Sequence, residues 1–367
     1  MNTFINRLYT HVICIGIALA FVSCSKNLPE SLDAFDKESV FTQTLYSPQL
    51  GRTTLMTSNF NGGNSTLPFT FEIAGIRRFD GSPAPELTES FPVKVWTTPY
   101  LGTETSLLEI EAKRATEYRP LFQVKKHSGE FVMWSNANSS FVRCSPDSSY
   151  KFDVLVKNSG GYAYTANMRL IPTREVDYEP NNIDSKSGLD TVGYVRPNIV
   201  TQMRAASNGF MILPQDIKVY FRQNDEFEGN AKTLTFRFFT SDYTAIDPAR
   251  FNLTNWATLL HGFEMEKTAE YVRYKVAYPI PLVKTVSKYT NQNGDKARVR
   301  FDYNRIGASG FREESSMQFD FSIYKEKNWE IDMDISRKQF SFKDRILYWF
   351  EKKTGIRLFD FKNYRII

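Results

Sequence analysis

The sequence predicts a mainly β protein made of two antiparallel β-sandwich domains, immunoglobulin-like or jelly-roll-like, with one or two short helices. Aromatic residues form 15% of the chain, with 30 Phe and 19 Tyr, and such side chains suit a pleated, half-buried surface. Apolar and polar residues alternate in several short segments, and turn-forming residues separate those segments. The length suits two domains, at roughly 100–200 residues each, or three small ones.

The first 24 residues predict export and a lipid anchor. Arg7 precedes an apolar run from Val12 to Val22, which is too short for a bilayer span of about 20 residues and is typical of a signal peptide. The run ends in Ser23-Cys24, as in bacterial lipoproteins, whose cysteine becomes the lipid-bearing first residue. We expect a signal peptide over 1–23 and lipidation of Cys24; ordinary cleavage beside a chance cysteine is the alternative.

Residues 24–38 are polar and acidic, as expected of a tether, and the N-terminal β-sandwich domain is predicted over 39–176. Ser106 and Glu109 form a capping box that predicts a helix over 106–118. Asn158 to Gly161 predict a hairpin turn with a loop of about four residues. The predicted strands are 67–76, 91–97, 131–134, 150–156 and 162–170.

Residues 177–196 are predicted to be a linker, because 177–190 contain four Asp/Glu together with Asn, Ser, Pro and Gly and no apolar period. A calcium loop is the alternative interpretation. The glycine and the oxygen donors do not have EF-hand spacing, however, so a solvated linker is favoured.

The second β-sandwich domain is predicted over 197–336, where alternation is clearest. Within 329–335, Trp329, Ile331 and Met333 point one way, while the intervening acids point the other, which predicts one dry and one wet face. Asn293-Gly294 predicts a tight turn between the third and fourth strands. A short helix is expected to include Trp256. The predicted strands are 217–221, 234–239, 272–279, 297–303, 317–324 and 329–335.

The last segment, 337–367, differs in composition from the rest. It holds nine Lys/Arg and three Asp/Glu of a chain whose net charge is +5, so the remainder is close to neutral. This excludes a general basic surface for nucleic acid. The basic, aromatic tail is interpreted as a possible helix on a membrane surface or a partner; a fused or frameshifted extension is the alternative.

Motifs of catalysis are missing from the sequence, and we predict a protein that is not an enzyme and has no cofactor or metal. His127 and His261 are interpreted as structural or surface residues, and Cys144 stands alone once Cys14 and Cys24 are set aside. Carboxylates on neighbouring strands could form a glycosidase pair, but with Arg298 and Arg300 they are interpreted as a charge-balanced solvent face. These carboxylates are Asp302, Asp320, Glu330, Asp332 and Asp334.

Flat rings on a sheet or loop are how binding modules hold the apolar faces of sugars. Trp96 alternates away from Val93 and Val95, and Trp256 lies in a polar stretch. These two are the predicted glycan platforms, with ordinary packing as the alternative for each.

Five stretches together resemble an uncharacterised Bacteroidetes lipoprotein family, that of the domain of unknown function numbered five thousand and seven, from about Lys26 to Ile335. The resemblance implies an accessory lipoprotein of starch-utilisation-type (SusC/SusD-like) outer-membrane systems, and it implies no catalytic residue. The tail departs from the family, whose members end near the strand equivalent to 329–335. The stretches are 28–33 (LPESLD), 50–53 (LGRT), 78–86 (RFDGSPAPE), 137–144 (ANSSFVRC) and 267–274 (KTAEYVRY).

We therefore expect a non-catalytic lipoprotein, lipid-anchored in the outer membrane at the cell surface, that binds glycan for a polysaccharide-uptake system. The alternative is a structural subunit that docks onto a TonB-dependent transporter complex without a ligand of its own. The expected partners are the membrane, through the lipid anchor, together with a glycan and the SusC/SusD-like complex.

Overall fold

The computed structural model describes residues 33–335 except 148, 185–186, 206–208, 226–231 and 308–309. Within this part the chain is mainly β, as predicted. The expected signal peptide, Cys24, most of the tether and the tail over 337–367 lie outside the described residues. None of the described helices is long and apolar enough to cross a membrane.

The N-terminal region, residues 33–176, contains eleven strands and two short helices. The helices are α1 (Pro85–Thr88) and α2 (Leu107–Ala112). The strands are β1 (Val40–Phe41), β2 (Leu45–Tyr46), β3 (Thr54–Met56), β4 (Phe60–Asn61), β5 (Thr70–Arg78), β6 (Ser90–Trp96), β7 (Arg114–Pro120), β8 (Phe122–Val124), β9 (Phe131–Met133), β10 (Tyr150–Asn158) and β11 (Gly161–Leu170).

Four of these strands form the largest N-terminal sheet, in the order β2-β11-β10-β5, and smaller sheets join β3-β9-β8, β6-β7 and β1-β4. Their apolar faces share one core, in which Phe131 contacts the rings of Phe122 and Phe152 at 5.5 and 5.3 Å. Asn158 pairs with Gly161. The hairpin loop is therefore only Ser159-Gly160, shorter than expected.

The helix predicted over 106–118 ends much earlier than the sequence suggested. Ser106 accepts a hydrogen bond from the Glu109 N–H at 3.2 Å, which confirms one half of the predicted capping box. The Glu109 carboxylate accepts from the Thr105 N–H at 2.7 Å instead of the Ser106 N–H. After Ala112, however, the chain becomes β7, which pairs along the whole of β6, with Trp96 opposite Arg114. The prediction was wrong there because pairing with a neighbouring strand outweighed the local helical pattern.

The C-terminal region, residues 177–335, contains nine strands and three short 3₁₀ turns (Pro214–Asp216, Pro248–Arg250 and Trp256–Thr258). The strands are β12 (Tyr178–Glu179), β13 (Ile199–Thr201), β14 (Ile217–Gln223), β15 (Thr233–Phe239), β16 (Phe263–Lys267), β17 (Tyr271–Lys275), β18 (Ala297–Ile306), β19 (Arg312–Ile323) and β20 (Trp329–Ile335).

Five of these strands form one sheet in the order β14-β20-β15-β17-β16, while β12, β13 and β18 pair with β19. The two sheets share a second core, in which Phe236 contacts Phe301 and Phe321. Trp329, Ile331 and Met333 are buried as predicted. Most strand pairs are antiparallel, as predicted, whereas β15 and β20 are parallel.

Two local expectations for this region need correction. The chain turns at Gly294, which has a φ of 71° and an N–H bond to the Asn291 carbonyl. Asn293 does not have the positive φ that the predicted type I′ turn requires, and β17 and β18, on either side, belong to different sheets. The expected linker begins inside a sheet, since Tyr178 pairs with Ile323 and stacks on Phe221 at 4.1 Å. The described residues hold no group of three or more potential metal ligands.

Candidate functional site

Trp256 is a core residue rather than a surface platform. Its ring is 7% exposed and packs edge-on against Phe238 and Phe251. The Tyr274 hydroxyl donates to the Trp256 carbonyl at 2.6 Å. The polar sequence around Trp256 concealed this burial.

Trp96, the other predicted platform, is half-buried at the end of β6. The Arg114 guanidinium lies 4.3 Å from the centre of its ring. Arg114 also donates to the Tyr278 carbonyl at 2.9 Å, which ties the N-terminal region to the C-terminal region. Trp96 therefore lies at the seam between the two regions, with one ring face covered by a cation.

A row of rings continues from Trp96 across this seam. Tyr100 lies 5.7 Å from Trp96, and His261 stacks on Tyr289 at 4.9 Å. His261 Nε2 donates to the Glu104 carbonyl at 2.8 Å. Because a carbonyl only accepts, Nδ1 of the neutral ring accepts from the Tyr100 hydroxyl. The predicted structural role of His261 thus has a geometric basis, as a bridge between the two regions.

Beside this row lies a small, mostly apolar cleft of about 60 Å³. Ligand pockets are commonly about 300–1,000 Å³, so the cleft is too small to enclose a sugar. Two of its lining side chains, Leu101 and Val286, are 68% and 63% exposed. This geometry suits surface contact with a partner better than capture of a small molecule.

Glu104 is a fully buried carboxylate beneath the seam. Lys113 Nζ and the Leu101 N–H donate to its Oε1 at 2.5 and 2.9 Å. Burial alone would raise the pKa of Glu104, but these bonds outweigh it and lower the pKa to about 2. The Glu104 carboxylate stabilises the loop that contains Leu101 as long as the Lys113 ammonium is paired with it.

The carboxylates expected on one solvent face divide between two sheets. Asp302 and Asp320 lie on β18 and β19 and are paired: Arg298 holds both oxygens of Asp320 at 2.8 Å, and Arg300 holds Asp302 at 2.8 Å. Charge balance is therefore a sound interpretation for that sheet, but Asp320 is 7% exposed and does not lie on a solvent face.

The acids of β20 have a different environment. Since Ile331 and Met333 fill the core, Asp332 and Asp334 project from the opposite face of the five-stranded sheet. They are nevertheless buried, at 5% and 6% exposed. The solvent-face prediction was wrong for them, because longer side chains on the flanking strands cover these short acids. We term this surface the Asp332 face: Lys218, Tyr220 and Arg222 on β14; Glu330, Asp332 and Asp334 on β20; Arg237 and Phe239 on β15.

Three buried polar atoms of the Asp332 face lack a hydrogen-bond partner among the described residues: Oδ1 of Asp332, Oδ1 of Asp334 and Nε of Arg237. A buried polar group left unsatisfied costs about 1–3 kcal/mol. The face therefore presents two acceptors and one donor whose hydrogen-bonding capacity is unused.

Asp332 also has a perturbed charge. Burial raises its pKa, Glu330 raises it further, and Arg222 and Arg237 lower it. The Arg222 Nε lies 3.1 Å from Asp332 Oδ2, but the Arg222 side chain is 59% exposed, so solvent screens this pair. Arg222 is thus a largely exposed side chain that lies beside a buried carboxylate.

Aromatic rings flank these acids on both sides. Tyr220 lies opposite Asp332 in the register and Phe239 opposite Asp334. Both rings are half-buried, and Tyr194 contacts Tyr220 at 6.0 Å. The Arg222 guanidinium lies 5.6 Å from the centre of the Tyr220 ring, and that of Arg237 lies 5.2 Å from the centre of the Phe239 ring. The Asp332 face therefore combines acids, arginines and two aromatic rings.

Sequence reasoning missed this face because alternation places a side chain on one face but does not reveal its burial. The sequence did carry one signal of the face, namely three acids at alternate positions of β20.

His127 donates from Nδ1 to the Phe69 carbonyl at 3.1 Å, and Cys144 is buried, which raises the pKa of its thiol.

Comparison with known proteins yields one informative match. A family model described as a domain of unknown function, DUF5007, matches residues 60–344. No curated protein matches the chain. The crystal structure of the chicken ATP-gated P2X7 receptor channel aligns over 95% of this chain and 93% of that chain, at 10% identity and a TM-score of 0.08, which carries no information about fold or function.

Proposed function

Because the chain belongs to the DUF5007 family, whose name assigns no activity, we propose a function from the Asp332 face: non-catalytic binding of a glycan by an outer-membrane lipoprotein. In this proposal the protein serves as an accessory to a polysaccharide-uptake system.

The observation that carries the proposal is the set of unpartnered polar atoms on Asp332, Asp334 and Arg237, between the rings of Tyr220 and Phe239. Each sugar hydroxyl can donate and accept, so neighbouring hydroxyls can satisfy both carboxylates and the guanidinium. The rings can cover the apolar face of the sugar. Buried polar groups are normally satisfied, and a bound glycan would remove the present cost.

Binding is favoured over hydrolysis by the arrangement of the acids. A glycosidase places two carboxyl groups on either side of the scissile bond, as acid and as nucleophile or base. Glu330, Asp332 and Asp334 all project from the same face of one strand. They can contact one side of a saccharide together.

Location rests on the leader sequence. Lipidation of Cys24 would fix the protein to the membrane, and metabolic labelling with a clickable palmitate tests it. We expect label in the wild-type protein and none in Cys24→Ala. Equal label in both would remove the anchor from the proposal.

Affinity electrophoresis in gels containing individual polysaccharides tests glycan binding, with the chain that starts at Ser25. We expect at least one polysaccharide to retard the protein and Asp332→Asn to lose the retardation. Asp302→Asn is the matched control, because it makes the same chemical change on the other sheet beside a paired arginine. No retardation in any gel, or equal loss in both variants, would contradict the proposal.

One observation favours docking onto a transporter complex as a second function. Leu101 and Val286 are exposed apolar residues, and both line the seam cleft. Affinity purification from detergent-solubilised outer membranes tests this. A TonB-dependent transporter recovered with the wild type and lost with Leu101→Asp, together with no glycan binding, would select docking.

A further inference from the structure

The described chain begins at the tip of one hairpin. The Asp33 N–H donates to Ser159 Oγ at 3.1 Å, and the Ser159 hydroxyl donates to Asp33 Oδ2 at 2.6 Å. The Asn158 side chain donates to the Ala34 carbonyl at 2.9 Å. A Cβ on Gly160 would lie 1.5 Å from the Asp33 carbonyl oxygen, so this approach requires glycine. Asp33 is thus fixed to the loop between β10 and β11.

The distance from this tip to the membrane has an upper limit, if Cys24 carries the proposed lipid. Nine residue steps separate Cys24 from Asp33, and an extended chain spans at most about 3.6 Å per residue, or roughly 30 Å in all. The hairpin tip therefore stays close to the bilayer, whatever the path of the tether.

Large side chains are exposed at this end of the sheet. Leu67 is 71% exposed and follows Thr66, whose carbonyl accepts from the Asn158 side chain at 3.0 Å. Tyr162 is 73% exposed, and it pairs with the exposed Lys157. Tyr164, two residues further along the same face, is 55% exposed. Tyrosine and lysine combine apolar bodies with polar ends, which suits the interface between water and lipid.

The rest of the molecule extends from the tip in the opposite direction. β11 runs ten residues from Gly161 to Leu170, about 30 Å at 3.3 Å per residue. The chain then enters the C-terminal region at β12, where Arg52 holds Glu179 at 2.9 Å. The second region is thus joined at the end of the sheet remote from Asp33.

We propose that the hairpin surface formed by Leu67, Lys157, Tyr162 and Tyr164 rests on the headgroup layer of the membrane that holds the anchor. In this orientation the hairpin surface contacts the bilayer, and the C-terminal region with its Asp332 face lies away from it. The inference rests on the lipid anchor of the proposed function, and the length of the tether and the place where it ends identify the membrane as the occupant.

Site-specific fluorescence on the full lipidated chain tests the proposal. Tyr162→Cys is labelled with an environment-sensitive dye, and the chain is reconstituted into phosphatidylethanolamine and phosphatidylglycerol vesicles containing a nitroxide lipid. Tyr243→Cys is the matched control, since Tyr243 is 67% exposed in the C-terminal region. Cys144 is buried and does not compete for the dye.

We expect flotation of both labelled proteins with the vesicles and quenching by the nitroxide lipid that is several-fold stronger at 162 than at 243. Adding Leu67→Asp and Tyr164→Asp should keep flotation and reduce the quenching at 162. Equal quenching at 162 and 243 in floated protein would overturn the membrane-facing surface and leave the anchor standing. Wild-type protein that does not float would overturn the anchor and this inference with it.

Discussion

Asp332 on β20 and Arg237 on β15 are direct partners in a parallel register, yet Asp332 Oδ1 and Arg237 Nε are both buried without a hydrogen bond to any described residue. Arg237 instead directs Nη1 toward Glu330 at 3.7 Å. Two opposite charges that are adjacent and incompletely paired do not contribute their full stabilisation to the fold. Their hydrogen-bonding capacity is unused in this structure, and a ligand would reach it only where the side chains that cover these atoms move aside.

Asp332→Asn should preserve or raise stability at neutral pH while removing glycan binding. The pKa of Asp332 is raised above 3.8 in the folded state, so between the unfolded and folded pKa values the folded protein binds more protons. Stability is therefore lost as pH rises through that window. The melting temperature of the variant relative to wild type should increase from pH 3.5 to pH 7.5, which calorimetry measures.

Asp302→Asn serves as the control for this pH dependence, because Asp302 lies on the other sheet, where Arg300 holds it at 2.8 Å. If the difference in melting temperature between Asp332→Asn and wild type is the same at pH 3.5 and pH 7.5, burial of the carboxylate does not destabilise the folded protein.

Tyr220→Ala and Phe239→Ala should each weaken glycan binding by about 1–3 kcal/mol, the usual loss for a buried ring contact at a binding hot spot. Titration calorimetry measures the loss. Tyr118→Ala is the control, because Tyr118 is 72% exposed and lies in the N-terminal region.

Trp96→Ala tests the platform predicted from the sequence against the Asp332 face. A loss of glycan affinity in Trp96→Ala with unchanged affinity in Tyr220→Ala would show that the glycan binds at the seam and not on the Asp332 face. Because the Trp96 ring contacts Arg114 and Tyr100 at the seam rather than the acids of β20, we expect the opposite result.

Much of the fold could be predicted, because alternation reports on packing directly. β20 was predicted with its observed bounds, and its inward residues Trp329, Ile331 and Met333 are all buried. Prediction failed where distant parts of the chain decide the outcome. β7 replaces the second half of a predicted helix because β6 offers it a partner strand.

The candidate site was less predictable, for the same reason. Trp256 lies in a polar stretch, but its burial depends on Phe238 and Phe251, which approach only in the fold. The acids of β20 were placed on the correct face, but their burial depends on Arg222 and Arg237 from flanking strands. Alternation indicates direction, whereas solvent exposure is a tertiary property.

Lys113→Ala should destabilise the protein by about 3–5 kcal/mol, because it leaves the Glu104 carboxylate buried without its cation. The folded pKa of Glu104 is about 2, below its ordinary value of 4.5. The contribution of Glu104 is therefore present above pH 4.5 and is lost as pH falls toward 2. Urea denaturation at pH 7 measures the effect.

Lys94→Ala is the matched control, because the pair of Lys94 with Glu111 is 48% and 44% exposed and should contribute at most about 1 kcal/mol. If both lysine variants lose the same small amount, the Glu104 carboxylate does not depend on Lys113.

Met333→Asp should abolish the folded state or reduce its free energy of unfolding by more than about 4 kcal/mol. Met333 is 0% exposed on β20, and an unpaired charge placed there would face only apolar side chains. Met265→Asp makes the same change on β16 at a residue that is 42% exposed and should cost no more than about 0.5 kcal/mol. Met333→Leu keeps the volume and should cost less than about 1.5 kcal/mol. Urea midpoints followed by tryptophan fluorescence compare the three variants, and a Met333→Asp midpoint equal to that of Met265→Asp would show that β20 does not face the core.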